Sequence, residues 1–527
     1  MAAYDVIIVG AGPAGSALAI QLARRGYETL LLEKDRFPRD KVCGDFVSPR
    51  GLLFLRELGC LADVEAEGCV RIRKSTVYLN GRKLSEGYLP HLPDHPAYGY
   101  AVPRERLDEI IFRRAQAAGA STVERCRVID LEHRAGAVRI VANVDGTTQA
   151  FDAHVIVGAD GAQSTVARIA GLAMQDHRYV LASMRSYCTG LSLEETILSF
   201  EEEFFPGFAW IFPIDESRAN VGVGMVSEPL TRGGTRLRQF YDKFCSFIDE
   251  LARAQGRVAE ISRATGWPIK TYGGARENYF ERGLLIGEAA CLVDPISGEG
   301  IPLALESALL AADVIDEIFE DGDFSATSLS RYETVWRDRY DPDLRVSDLI
   351  VSILRNRHLV KLWLTSFEIM SKTALLDEDY ALKTGGILAG LVPNREGFSP
   401  EIVAKTLFHS PQFWMDVFDV RGEHLLLDAA IRTVELSRWE SEAALHLLAD
   451  FEWFRAWLDE IDRKQRELIL TPGRSSGGLL ARRKYASSRS AAADDLRLYP
   501  DKTYAIGRRA DQRPQRSYPS TSPRSER

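Results

Sequence analysis

The chain opens on an apolar run without polar interruption, DVIIVG at residues 5–10, followed by a glycine-rich turn, an apolar-periodic stretch from Pro13 to Arg25, Gly26, and ETLLLE at 28–33. A strand exposed on one face would alternate apolar and polar side chains, so the continuous run predicts a parallel strand covered on both faces. Residues 4–33 therefore read as β-turn-α-turn-β. Further along, the pattern predicts an amphipathic helix over 104–118 and strands over 122–130, 137–143 and 150–158, the last in FDAHVIVGAD. Another strand, GLLIGEA at 283–289, leads into a helical pattern from Ile301 to Phe319. The first module is thus discontinuous and returns after an insert.

Within that insert, SMRSYC, ANVGVGM and FAWIFP alternate with a period of two, which predicts antiparallel strands. From Arg331 to about Leu470, Leu, Trp and Phe recur at three- and four-residue spacing, as in DLIVSILRNRHLVKLWLTSFEIM and FEWFRAWLDEIDRKQRELIL, which predicts a helical region. Beyond Pro472 the chain is rich in Ser, Arg, Pro and Gly; too few aliphatic residues remain to offset ordering entropy, so a disordered tail is expected. The expected fold class is α/β, α+β overall. A Rossmann-like nucleotide-binding domain is assembled from 1–74, 100–178 and 275–330. An inserted antiparallel β-sheet substrate domain comes from 75–99 and 179–274, a helical carboxy-terminal region from 331–470, and a basic tail from 471–527.

Composition adds limits. Hydrophobic, charged and aromatic shares of 45%, 27% and 9% are those of a globular chain and exclude a collagen-like, coiled-coil or wholly disordered protein. The net charge of −9 divides into +8 over residues 471–527, where thirteen Lys or Arg face five Asp or Glu, and −17 over the rest; no nucleic-acid partner is expected. The tail's Arg482-Arg483-Lys484 and Arg508-Arg509 read as solvated chain, with attraction to anionic lipid as the alternative. Seven cysteines without a CxxC pair and nine histidines without HExxH spacing argue against a disulfide framework and a metal site. MAAYDVIIVG has no basic n-region and nowhere do 18 apolar residues run together, so the expected location is the cytoplasm. Peripheral membrane contact through the helical region or the tail stays open, and oligomeric state is unreadable.

Candidate chemistry sits at three strand-to-helix turns. Gly10, Gly12 and Gly15 in VIIVGAGPAGSA follow a strand and open a helix, and Glu33 ends the second strand 18 residues after Gly15. This is the dinucleotide arrangement: Gly10 for the tight turn, Gly12 for approach to a pyrophosphate, Gly15 for helix–strand contact, and Glu33 for ribose hydroxyls. In VIVGADGAQSTVAR a strand ends at Asp160 and Gly161 before a second helix. GLLIGEAACLVDPISGEGI brings Glu288, the Asp294-Pro295 turn, Gly298 and Gly300 to the start of the long helix at Ile301. A helix amino terminus there suits the anionic pyrimidine edge of a reduced flavin, so FAD rather than NAD is the expected resident cofactor.

The set GAGPAG, KVCGD at 41–45, VPRERLD at 102–108, GADG and GEAACLVDPISGEGI resembles the para-hydroxybenzoate hydroxylase-type FAD-dependent oxidoreductases. Within them, KVCGD, the WIFP box at 210–213 and DPISGEGI resemble the geranylgeranyl reductase family, over about residues 1–400 if YALKTGGILAGLVP is included. The resemblance implies that Ala14, Glu33, Cys43, Gly44, Arg104, Val128, Glu288, Gly300 and Ile301 contact FAD. One departure stands out: the usual GD of the third motif is GE here, so Glu288 keeps the carboxylate but adds a methylene.

Cys43, with Lys41 nearby, is either a proton donor beside the isoalloxazine or a small thiol packed against it. Trp210 and Phe212 share one face of a strand, as wall of an apolar substrate pocket or as ordinary sheet packing. The leading expectation is a reductase of carbon-carbon double bonds in an isoprenoid or other apolar small molecule, with hydride from flavin N5 and NAD(P)H as transient reductant. Two alternatives remain. One is a flavin-dependent halogenase or aromatic monooxygenase working through a C4a-hydroperoxide, for which Lys270 is the candidate lysine; the other is a non-catalytic FAD-binding protein.

Overall fold

A computed structural model describes residues 3–91, 95–226, 236–274, 277–388, 390–397, 399–406 and 451–470. The tail expected to be disordered, and residues 407–450 of the region expected to be helical, lie outside the described residues. The uninterrupted apolar run forms β1 (Tyr4–Val9), followed by α1 (Pro13–Arg24) and β2 (Thr29–Leu32). Val6, Ile7 and Ile8 are fully buried, each contributing about 1.5–3 kcal/mol of hydrophobic stabilisation. The chain continues through β3 (Phe46–Val47), α2 (Pro49–Leu58), α3 (Leu61–Ala66), the hairpin β4 (Lys74–Leu79) and β5 (Arg82–Tyr88), β6 (Tyr100–Ala101) and α4 (Arg104–Ala117). Then come β7 (Ser121–Val123), β8 (Cys126–Arg134), β9 (Ala137–Val144), β10 (Thr147–Gly158) and α5 (Thr165–Ile169).

The segment expected as one strand over 122–130 is two. Its first half, β7, pairs in parallel with β2, while β8 turns away into an antiparallel pair with β9. Arg125, at φ +52°, makes the break. After the insert the chain returns through β17 (Tyr279–Phe280) and β18 (Gly283–Leu285). The strand expected to reach 289 stops at Leu285, because Gly287 at φ +59° begins a 3₁₀ turn, Gly287–Ala290. The first sheet runs β17-β18-β10-β1-β2-β7, with β1 parallel to both β2 and β10 and β10 parallel to β18.

The insert builds a second, largely antiparallel sheet in the order β15-β11-β14-β13-β12-β4-β5, with β16 also on β11. Its strands are β11 (Val180–Thr189), β12 (Glu195–Phe200), β13 (Phe208–Pro213), β14 (Arg218–Val226), β15 (Glu260–Ile261) and β16 (Thr265–Lys270). One helix in it was not expected from the strand pattern: α6 (Arg236–Ala254), whose Phe240, Phe244 and Ile248 pack on Ala209, Ile211, Val221 and Val223. That packing covers one face of the sheet and leaves the other toward the first module.

The long helix α7 (Ile301–Asp321) packs on α1, and α8 (Ala326–Leu354) packs on α7. They are followed by α9 (Val360–Leu376), α10 (Glu378–Leu388), α11 (Asn394–Gly397) and α12 (Phe451–Leu470). A buried ion pair, Lys464–Asp348 at 2.8 Å, ties α12 to α8. Among the described residues no helix is long and apolar enough to cross a membrane.

Candidate cofactor and substrate site

Because β1, β10 and β18 are parallel neighbours, the turns after them meet. Gly10 sits at φ +99°, and a Cβ there would lie 2.6 Å from the Ala159 carbonyl and 2.7 Å from Asp160 Cα, so glycine is required. A Cβ on Gly15 would fall 1.9 Å from Gly10 O, which shows α1 entering at backbone contact. The Cβ position of Gly161 lies 3.7 Å from Glu288 Oε2, and that of Gly287 lies 2.9 Å from Ala14 Cβ. Three turns therefore border one groove.

The groove's chemistry suits a dinucleotide. Among the described residues no side chain caps α1 at Gly12 or α7 at Gly300, so both helices present uncapped amide ends. At Gly12 the nearest atom to a Cβ position is Arg39 Nη2, 4.0 Å away, which adds a cation beside an open cradle. Glu33 Oε2 accepts the Ala11 N–H at 3.0 Å and Oε1 accepts that of Asp35 at 3.1 Å. Arg39 bridges Glu33 (3.3 Å) and the fully buried Asp108 (2.9 Å), and Arg104 donates Nε and Nη2 to Asp108 at 2.6 and 2.8 Å. Burial alone would raise the Asp108 pKa, but Arg104 and Arg39 outweigh it and hold the carboxyl below its ordinary range.

Residues 40–45 pass under the second sheet and are anchored to it. Arg185 of β11, 4% exposed, donates to Asp40 Oδ1 at 2.6 Å and to the Lys41 carbonyl at 3.3 Å. Lys41 Nζ lies 4.4 Å from the Trp267 ring centroid and 3.9 Å from Glu288. Burial, aided by Arg104, lowers the Lys41 pKa, with Glu288 opposing. Cys43 is half-buried, and both Lys41 and Arg104 lie within electrostatic reach of its sulfur. Asp45, fully buried at φ +63°, accepts from Tyr187 Oη and Asn220 Nδ2, both at 2.8 Å, and from the Arg104 N–H at 3.3 Å. Burial pushes the Asp45 pKa up to about 6 against these bonds.

Above this loop, β13 presents Phe208, Trp210 and Phe212 on one face, with ring centroids 5.9 and 6.3 Å apart. Cross-strand register places Asn220, Gly222 and Gly224 opposite Phe212, Trp210 and Phe208. Gly222 is what lets the Trp210 ring lie across β14: a Cβ would be 2.3 Å from Trp210 Cζ2. The ladder touches both cofactor-side loops, since the Cβ position of Gly44 is 3.0 Å from Phe212 Cε2 and that of Gly298 is 3.9 Å from Phe208 Cζ.

Gly10, Gly12, Ala14, Gly15, Glu33, Asp160 and Glu288 thus surround the groove, Gly300 and Ile301 start the helix beside it, and Gly44, next to Cys43, meets Trp210 and Phe212. Asp160 spends its carboxylate on the α5 start, accepting from Ser164 Oγ at 2.5 Å and the Thr165 N–H at 2.6 Å. Val128 lies in the core at a bulge of β8, its side chain 6% exposed. Lys270 ends β16, with its amide donating to Glu288 Oε1 at 3.3 Å. The sequence placed Asp45 and Asp108 inside its motifs without a role for either, and did not mark Arg39, Arg185, Tyr187 or Asn220. The four-residue spacing of Arg104 and Asp108 was a signal for one pair; nothing local marks Asn220. Among the described residues no cluster suits a metal ion.

A family profile described as FAD binding domain matches residues 3–339. The chain is 33% identical over 320 residues to menaquinone reductase of Mycolicibacterium smegmatis, covering 59% of this chain and 76% of that one. It is 32% identical over 354 residues to digeranylgeranylglycerophospholipid reductase 2 of Methanothermobacter thermautotrophicus, covering 65% and 86%. Among solved structures, a geranylgeranyl bacteriochlorophyll reductase-like protein from Thermoplasma acidophilum aligns with a TM-score of 0.61 at 22% identity, covering 79% and 98%. The flavin-dependent halogenase CmlS aligns with a TM-score of 0.57 at 23% identity, covering 71% and 72%. At these identities the two structures speak to fold alone.

Proposed function

This chain belongs to the FAD binding domain family as an FAD-dependent oxidoreductase of the geranylgeranyl reductase family, and from that premise we propose that it saturates carbon-carbon double bonds of a polyisoprenyl substrate. The observation that carries the reading is the aromatic ladder Phe208-Trp210-Phe212, which runs between the cofactor-side loops at Gly44 and Gly298. An apolar chain lying along it would pass the flavin end of the groove. Menaquinone and digeranylgeranylglycerophospholipid, the molecules in the relatives' names, share a polyprenyl chain.

The residues fit FAD: the uncapped start of α1 with Arg39 for the pyrophosphate, Glu33 for the ribose, Glu288 for the ribityl chain, and the start of α7 at Gly300 and Ile301 for the pyrimidine edge. Bound and reduced, with NAD(P)H as the visiting reductant, FAD supplies a hydride at N5. The protein's own part is to hold the alkene along Trp210 and Phe212, exclude water there, and offer the Cys43 thiol as proton donor. Full-length FAD-loaded protein, incubated under nitrogen with NADPH and menaquinone or a geranylgeranylated glycerolipid, should yield product heavier by two hydrogens per bond. Unchanged lipids under nitrogen, with halogen or oxygen incorporated into an aromatic acceptor in air, would overturn the reading.

A further inference from the structure

Asn220 is fully buried, and its carboxamide is used at both ends. Its Oδ1 accepts the Trp210 Nε1–H at 2.8 Å, and its Nδ2 donates to the Cys43 carbonyl and to Asp45 Oδ2, each at 2.8 Å. Only a group that accepts and donates at this length satisfies all three partners. A carboxylate has no N–H for the Cys43 carbonyl, and an apolar side chain would strand a buried indole N–H, a peptide carbonyl and part of a carboxylate. The Trp210 ring lies against Gly222, where no side chain fits, and the loop is confined by Asp45, whose left-handed backbone is fixed by Tyr187 and the start of α4. One side chain therefore joins the aromatic wall to the loop that carries Cys43.

We infer that Asn220 is a positioning residue, which sets the Cys43–Gly44 peptide against the Trp210 ring and so fixes the spacing between flavin-side loop and substrate wall. The inference rests on the reading of that wall as the substrate's, but the geometry it asserts can be tested without substrate. It also separates two roles that a simple deletion would confuse. Asn220→Asp puts two carboxylates side by side and should lower stability. Adding Asp45→Asn removes the repulsion: the new amide donates to the new carboxylate, which still accepts from Trp210, while the Cys43 carbonyl loses its donor and Tyr187 Oη must turn from donor to acceptor.

The experiment compares FAD-loaded full-length wild type, Asp45→Asn, Asn220→Asp and Asn220→Asp/Asp45→Asn by denaturant unfolding, by hydrogen exchange of peptides covering 40–45, and by the visible absorption and circular dichroism of the bound flavin. The double variant should recover most of the lost stability. Its loop should still exchange about fivefold faster or more, the opening expected from one lost buried hydrogen bond, with an altered flavin spectrum. Recovery of exchange and spectrum together with stability would overturn the inference and leave Asn220 a packing residue. A double variant that fails to recover stability, where Asp45→Asn alone keeps it, would also overturn it, since Asn220 would then have a role outside the three bonds. If these readouts behave as expected while no isoprenoid is reduced, the functional reading fails and the positioning role stands.

Discussion

Replacing Asp108 by Asn tests the charge network that closes the groove. Asp108 is fully buried and receives two bonds from Arg104, itself 8% exposed, and one from Arg39. Asparagine keeps one acceptor oxygen but turns an N–H toward a guanidinium and leaves Arg104 without its counter-charge. Removing one partner of a buried pair costs about 3–5 kcal/mol; the retained oxygen argues for the lower end, about 3 kcal/mol, or a fall in Tm of about 3 °C for a chain of this size. The pH dependence has a sign. A carboxyl held below its ordinary range contributes stability above about pH 4 that is lost as pH falls through its lowered value, so the gap between wild type and variant should narrow on acidification. Urea unfolding of the FAD-loaded proteins, followed by flavin and tryptophan fluorescence at several pH values, measures it. A gap under about 1 kcal/mol at pH 7, or one that widens toward acid, would refute the reasoning.

Asp45→Asn should show the opposite pH behaviour. Burial raises the Asp45 pKa to about 6, so the stability tied to its protonated form is present below about pH 4 and lost as pH rises through 6, by up to about 3 kcal/mol; the variant's profile over that window should be flatter, and parallel profiles would contradict this. Gly15→Ala places a Cβ 1.9 Å from Gly10 O, so the glycine turn must shift; at about 3 kcal/mol, FAD affinity by titration should fall about a hundredfold, and unchanged affinity would sink the placement of the cofactor. Gly222→Ala puts a Cβ 2.3 Å from Trp210 Cζ2 and 2.5 Å from the Met184 carbonyl; KM for a polyprenyl substrate should rise with FAD affinity unaffected, whereas a loss confined to FAD binding would remove Trp210 from the substrate wall.

What the sequence made legible follows from range. The β1-α1-β2 unit is written in one continuous stretch, so its period, its glycines and Glu33 could be read together. The helix α6 was also written locally, in the spacing of Phe240, Phe244 and Ile248, but stood among alternating strands. By contrast, Asp45 and Asn220 are 175 residues apart and meet only because β14 pairs with β13 at Asn220 and Phe212. The early end of the strand at Leu285 depends on the positive φ of Gly287, which composition does not announce. Arg104 shows the limit from the other side: its position at a helix start was readable, but its commitment to Asp108 appears only once both are buried.

The proposed function rests on one step, the passage of electrons from a reduced flavin in this groove to an apolar alkene held against Trp210 and Phe212. Rapid mixing of the anaerobically reduced FAD-loaded protein with a polyprenylated lipid, followed at the flavin absorption band, tests it directly. Reoxidation is expected under nitrogen, stoichiometric with double bonds saturated and slowed when Trp210 is replaced by Ala. Flavin that stays reduced with the lipid and reoxidises only when oxygen is admitted would contradict it.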